Sequence, residues 1–198
     1  MKTFFTATIA SVALAGIAAA GTVNFSNFGS TWEVQASGTP INGGFVSVGT
    51  TGVTDFSDAI TARDALAADF TAFGASTDFG GAAAFNIDGF FSGVGQGDGG
   101  AAAFDGKNIM LIGGDGDDIA SSNHLFVIDT GAPFAADAPL FAASVDINSG
   151  DIKLGEVKGT AVAAGVAGAF QAAVVIPEPS TSILGLFAAG FLALRRRR

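Results

Sequence analysis

Both ends of this 198-residue chain are apolar, and neither can share a fold with the stretch between them. Residues 1–20 open on Lys2 and the free amine, run apolar from Phe4 to Ile17, and close on Ala18-Ala19-Ala20. Positive charge, apolar run and small residues at −3 and −1 make up a secretory signal peptide, with Ala18 and Ala20 directing cleavage before Gly21. The run is shorter than the ~20 residues a bilayer crossing needs, so a cleaved leader fits better than an anchor. At the other end, Pro177-Glu178-Pro179-Ser180-Thr181-Ser182 leads into an apolar stretch ending at Leu194, and then into Arg195, Arg196, Arg197 and Arg198. Two prolines one residue apart continue neither a helix nor a strand, so they hold an extended segment. Residues 180–194 are apolar enough for a helix, though short of a full bilayer, and the arginines can lengthen it and hold its end on the cytoplasmic side. The part left to fold is residues 21–176.

The order Pro-Glu-Pro, short apolar helix, arginine cluster closely resembles the PEP-CTERM sorting signal of Gram-negative bacteria, which membrane protease-transpeptidases called exosortases read. The resemblance covers about the last 22 residues, 177–198. It implies that Pro177, Glu178 and Pro179 are a recognition sequence, that Arg195–198 are a cytoplasmic stop, and that the helix is removed during processing. It further implies export through the Sec translocon, trimming by signal peptidase, transient anchoring in the inner membrane and release to the cell surface or extracellular matrix. Proteins with this signal typically accompany exopolysaccharide and biofilm production. The β-rich core also resembles the short secreted cores of such proteins, through Trp32, Gly43-Gly44-x-Val46-x-Val48-Gly49 and Phe70-x-x-Phe73-Gly74. The signal sorts many unrelated cores and assigns this one no activity.

The formal charge of −9 hides a division of the same kind. Residues 21–176 hold four basic residues (Arg63, Lys107, Lys153, Lys158) against seventeen acidic ones, a net of −13. Such a surface repels phosphate and excludes nucleic acid as a partner. With no cysteine there is no disulfide framework, thiolate metal site or cysteine nucleophile, and one histidine rules out a histidine-rich metal centre.

The core has 26 glycines, 28 alanines, 15 phenylalanines and 23 valines plus isoleucines, but only five leucines. β-Branched and aromatic residues favour strands, and glycines supply turns. Strands are expected over 22–26, 31–36, 44–48, 85–91, 108–112, 125–129, 141–147, 152–157 and 170–175. Asn148-Ser149-Gly150-Asp151 reads as a hairpin turn. Nine strands with regular turns imply a mainly β fold, an antiparallel β-sandwich or open barrel. One amphipathic helix is expected over 57–73, where Ile60, Leu66, Ala67, Phe70 and Phe73 recur at helical spacing, capped by Ser57 and stopped at Gly74. Residues 93–100 read as a flexible connection. The stretch 79–85 is echoed by 99–104, too few copies for a solenoid. The expected organisation is a signal peptide (1–20), a β-rich core (21–157), a Gly/Ala-rich strand or spacer (158–176) and the sorting signal (177–198).

Within the core, Gly113-Gly114-Asp115-Gly116-Asp117-Asp118 matches the first six positions of the calcium-binding Gly-Gly-x-Gly-x-Asp repeat, whose carboxylates and turn carbonyls offer hard oxygen ligands. Asp115, Asp117 and Asp118 are therefore candidate calcium ligands, although that repeat works stacked and only one copy is present; a solvated acidic turn is the simpler reading. Ser121-Ser122-Asn123-His124 holds a serine and the one histidine, but no Gly-x-Ser-x-Gly elbow accompanies them. Glu33 and Glu156 stand out no more than other acids as a glycosidase pair, and Gly106-Lys107-Asn108 lacks the glycine and hydroxyl of a phosphate-binding loop. The expected function is a non-enzymatic surface or matrix protein without a cofactor. The alternatives are a carbohydrate- or calcium-dependent binding module, in which Trp32 and surface phenylalanines stack on sugars, and, third, a matrix hydrolase.

Overall fold

The structure is a computed structural model that describes residues 21–28, 32–134 and 142–176. Ala18, Ala20, Pro177, Glu178, Pro179 and the four terminal arginines lie outside the described residues. Gly21 opens the first strand.

Fourteen strands and one α-helix follow in chain order: β1 (Gly21–Ser26), β2 (Trp32–Ala36), β3 (Thr39–Pro40), β4 (Gly43–Thr50), α1 (Ala59–Asp69), β5 (Thr71–Ala72), β6 (Thr77–Phe79), β7 (Ser92–Gly97), β8 (Asn108–Gly114), β9 (His124–Pro133), β10 (Ala142–Val145), β11 (Asp151–Leu154), β12 (Glu156–Val157), β13 (Gly168–Gln171) and β14 (Ala173–Val174). The described fold is thus mainly β with one helix. A seven-stranded sheet runs β11-β9-β8-β4-β5, with β14 added on β9 and β6 on β4. Smaller sheets run β10-β1-β7 and β12-β13-β2-β3. Most pairings are antiparallel, as expected, but β1 with β10 and β2 with β13 are parallel. These pairings join distant parts of the chain, which turn residues alone do not reveal.

The central strands are buried on both faces. Along β8, Ile109 and Leu111 point one way and Met110 and Ile112 the other; along β9, Phe126 and Ile128 oppose Leu125 and Val127. The first face joins Val23 and Phe25 of β1, Val34 of β2 and Phe170 of β13 in one cluster. Phe126 sits at its centre, stacked on Phe91 at 6.1 Å and edge-on to Phe170 at 5.8 Å. Burying each such ring contributes about 1.5–3 kcal/mol relative to leaving it exposed. The second face is covered by Ala62 and Leu66 of α1, together with Ile119 and Val175.

Several elements differ from the sequence reading. Residues 85–91 are not a strand: Phe85 and Asn86 are left-handed (φ 54° and 57°), and buried Asn27 holds the loop by donating to Gly89 O (2.9 Å) and accepting from Phe91 N (2.8 Å). Residues 93–97, expected to be flexible, belong to β7, paired along its length with β1. The glycines are needed there for close approach, because a Cβ at Gly93 would meet the Phe25 ring and one at Gly97 the Phe73 ring. The helix is capped by Asp58, which accepts from Ile60 N at 3.1 Å, and it ends before Phe70. Its buried stripe is Ala62 and Leu66, while Ala67 is exposed and Phe73 belongs to the central core. The turn at 148–151 is no hairpin: β10 pairs with β1, and β11 pairs with β9. The expected strands over 152–157 and 170–175 are each split in two, giving β11 with β12 and β13 with β14.

Candidate functional site

Three segments remote in sequence meet at one end of the central sheet. The first is the tip of the β2–β3 hairpin, a two-residue loop of Ser37 and Gly38 with φ of 49° and 84°. Two positive φ values are the signature of the hairpin turn whose twist matches the flanking strands. Gly38 adopts its value freely, whereas Ser37 holds a conformation uncommon for a residue with a Cβ. The second segment is the turn after β8, which begins with Asp115. The third is His124, the first residue of β9, paired across the sheet with Val174.

Their side chains form a line. Asp115 Oδ1 accepts from the backbone N–H of Asn123 (2.8 Å) and of His124 (2.9 Å), and Oδ2 lies 2.7 Å from His124 Nδ1. His124 Nε2 lies 2.9 Å from Ser37 Oγ. A carboxylate can only accept, so Nδ1 carries the proton; in the neutral ring Nε2 is then the acceptor and the Ser37 hydroxyl donates to it. The side chains of His124 and Asp115 are 16% and 21% exposed, while Ser37 is open to solvent. Burial alone would raise the Asp115 carboxyl; the amide and ring of His124 and the Asn123 amide outweigh it and hold Asp115 below its ordinary range.

A second polar chain reaches the same hairpin tip. Gly38 N donates to Gln171 Oε1 at 3.0 Å, Gln171 Nε2 donates to Gln35 Oε1, and Gln35 Nε2 donates to Glu33 Oε1 at 2.6 Å. Glu33 is fully buried and also accepts from Val162 N (3.1 Å) and Ala163 N (2.7 Å). Gln35 Nε2 donates to Thr160 O as well. The segment between β12 and β13 is therefore fastened to the parallel β2–β13 pair.

The candidate calcium ligands are not brought together around one point. Asp115 faces inward to His124. Asp118, in the exposed part of the turn, accepts from Ser121 Oγ (2.7 Å) and Ser121 N (2.7 Å), which hold its carboxyl below the ordinary range. Asp117 is exposed and, with Asp118, edges a cavity of about 290 Å³ bounded by Phe45, Phe70 and Ile119. Among the described residues no group of three or more Asp, Glu or His is arranged to hold a metal ion. Ser121 and Ser122 shape the turn instead of approaching His124; Ser122 Oγ donates to Asp118 O at 2.7 Å. Glu156 is on the surface beside Lys158 at 3.0 Å, far from the buried role of Glu33. Trp32 is half-buried and packs near Phe170, with ring centroids 6.4 Å apart. Ser37 gave no signal in the sequence: the Ser-Gly pair reads as a turn, and only the fold brings it to His124.

A separate surface feature is aromatic. Phe85 is 74% exposed and meets Phe28 edge-on at 5.3 Å, while Phe28 stacks on Phe90 at 5.3 Å.

The chain leaves the described fold beside His124. Val175 is fully buried and donates its N–H to Asn123 O at 2.8 Å, and Ile176 follows at the surface. Residues 175–198 match the PEP-CTERM protein-sorting motif. No curated protein and no solved structure matches the chain. Among the described residues no helix is long and apolar enough to cross a membrane.

Proposed function

We infer, from the PEP-CTERM protein-sorting motif that closes the chain, that this is an exported protein handed to an exosortase and held only transiently in the inner membrane. The mature body is the acidic β core, arranged as a sandwich of the two smaller sheets on the seven-stranded one, and it is delivered to the cell surface or extracellular matrix, where it accompanies exopolysaccharide. The observation that carries this reading is the match over residues 175–198, whose first residue, Val175, donates to Asn123 O just outside β9. Pro177 follows Val175 by two residues in the sequence. Mass spectrometry of the mature termini in cells with and without the exosortase tests it. The expected result is an N-terminus at Gly21 and loss of the arginine tail only where the enzyme is present; an intact tail in normal cells would contradict it.

The Phe28–Phe85–Phe90 cluster favours a second reading, binding of carbohydrate through ring stacking. An exposed, left-handed Phe85 held edge-on against Phe28, which is itself stacked on Phe90, offers an apolar ring face of the kind that sugar faces stack on. Retention on a matrix-polysaccharide column should fall about tenfold in Phe85→Ala, the loss of roughly 1.4 kcal/mol; equal retention of the two proteins would remove this reading.

A further inference from the structure

We propose that Ser37 is a nucleophile towards carboxylic esters, with His124 as its general base and Asp115 as the residue that positions the base. This goes beyond the sorting reading and replaces the expectation of a core without chemistry. That expectation rests on the two terminal signals and on a core whose sequence shows no catalytic constellation, yet a relay of this kind is recognised by geometry and roles, whatever the order of its residues in the chain.

Four observations carry it. The serine hydroxyl is 2.9 Å from Nε2 and the carboxylate 2.7 Å from Nδ1, so each imidazole nitrogen has the partner that base catalysis requires. Asp115 is itself fixed by two backbone N–H groups, which leaves its second oxygen for the ring. Ser37 stands at a positive φ on a tight turn, exposed, with its hydroxyl turned to the base. Finally, Gly38 N–H, the amide following the serine, donates to a side-chain amide oxygen, Gln171 Oε1, at 3.0 Å. That oxygen marks where a substrate carbonyl oxygen would accept, so displacing Gln171 supplies a donor for developing negative charge.

The chemistry balances without a metal or redox partner. Ser37 Oγ adds to the ester carbonyl carbon as its proton passes to His124 Nε2, and the new oxyanion takes the Gly38 N–H. Collapse breaks the carbonyl carbon–alkoxy bond, and the departing alcohol takes the proton from His124. Water then attacks the acyl-Ser37 ester, giving a proton to His124 that returns to Ser37 Oγ as the carboxylic acid leaves. The open hairpin tip, where a Cβ at Gly38 would have nothing within 4 Å, suits a short acyl group displayed on a larger molecule.

A fluorophosphonate, which captures activated serines, tests this on the full-length chain in detergent, with p-nitrophenyl acetate as the ester. Peptide mapping should place the phosphonate on Ser37. His124→Ala should slow capture by about 10²–10⁴-fold, the usual range for loss of a general base, and Ser37→Ala should abolish both the adduct and ester cleavage. Asp115→Asn should slow capture and change the pH profile of its rate, whereas a merely structural aspartate would leave that profile in place. Thermal unfolding midpoints identify the variants that remain folded at the assay temperature, and rates are compared among those. A folded wild-type chain that takes no label, or label on Ser37 that survives His124→Ala unchanged, would overturn the proposal. Neither result bears on exosortase processing, which the terminal mass spectra report separately.

Discussion

Glu33 and Asp115 are both carboxylates turned into the protein, and both accept backbone N–H groups from another segment, but they are built for different work. Glu33 is fully buried and receives amide donors from Gln35, Val162 and Ala163. Asp115 sits at the rim with two backbone donors and, on its second oxygen, an imidazole nitrogen. The first arrangement is a pin that closes a long connection onto the sheet. The second orients a base, and its worth lies in holding one tautomer. The two polar chains converge on neighbouring residues, Ser37 and Gly38, at one hairpin tip.

That contrast can be broken from either side. Glu33→Ala should have the largest effect on stability, about 2–3 kcal/mol, because it takes the acceptor from the part-buried Val162 and Ala163 amides and one of two acceptors from Gln35 Nε2. Urea unfolding measures this, and fluorophosphonate capture by the fraction still folded should change less than capture by Asp115→Asn. A Glu33→Ala protein as stable as wild type would mean that the connection between β12 and β13 is not held by Glu33. Asp115→Asn should cost less stability, about 1–2 kcal/mol, but about 10³–10⁴-fold in capture rate, the scale seen when a relay aspartate is neutralised. Its acid dependence follows from the lowered carboxyl. A carboxyl held below its unfolded value adds stability above that value, about pH 3.9, and loses it as pH falls through the folded value. The acid limb of wild type should therefore be steeper than that of Asp115→Asn. Asp118→Asn, three residues along the same turn, is the matched control and the smallest effect: its partner is the local Ser121, so capture at Ser37 should stay unchanged. Equal losses of capture in the two variants would show that the turn as a whole, and not the Asp115–His124 contact, sets the reactivity.

Legibility of the fold varied with the kind of signal. Strands β4, β8 and β9 were visible because apolar residues alternate or run continuously and each strand is buried on both faces. Residues 85–91 carried an equally good alternation yet turned out to be a loop, since local pattern is silent about two consecutive left-handed residues. Residues 93–97 looked like a linker because glycine usually means a turn, but here absent side chains make room for Phe25 and Phe73. The twin alanine runs show the same limit: the phenylalanine after one, Phe85, is 74% exposed, while Phe104 after the other is 9% exposed. At the site, the sequence marks Asp115 as a candidate calcium ligand and His124 beside Ser121 and Ser122, and the fold sets Asp115 against His124. Ser37 was missed because it lies 87 residues from His124, and no spacing rule reaches across that distance.

By itself the sequence determined the sorting motif and the β character, because both rest on local properties: apolar run length, proline and charge at fixed offsets, side-chain branching and two-residue periodicity. The parallel pairings, the fate of each phenylalanine and the Ser37–His124–Asp115 line were decided only by tertiary structure. They depend on which distant strands share a sheet, and a hydrogen bond near 3 Å is set by the relative placement of whole elements, information that no single segment contains.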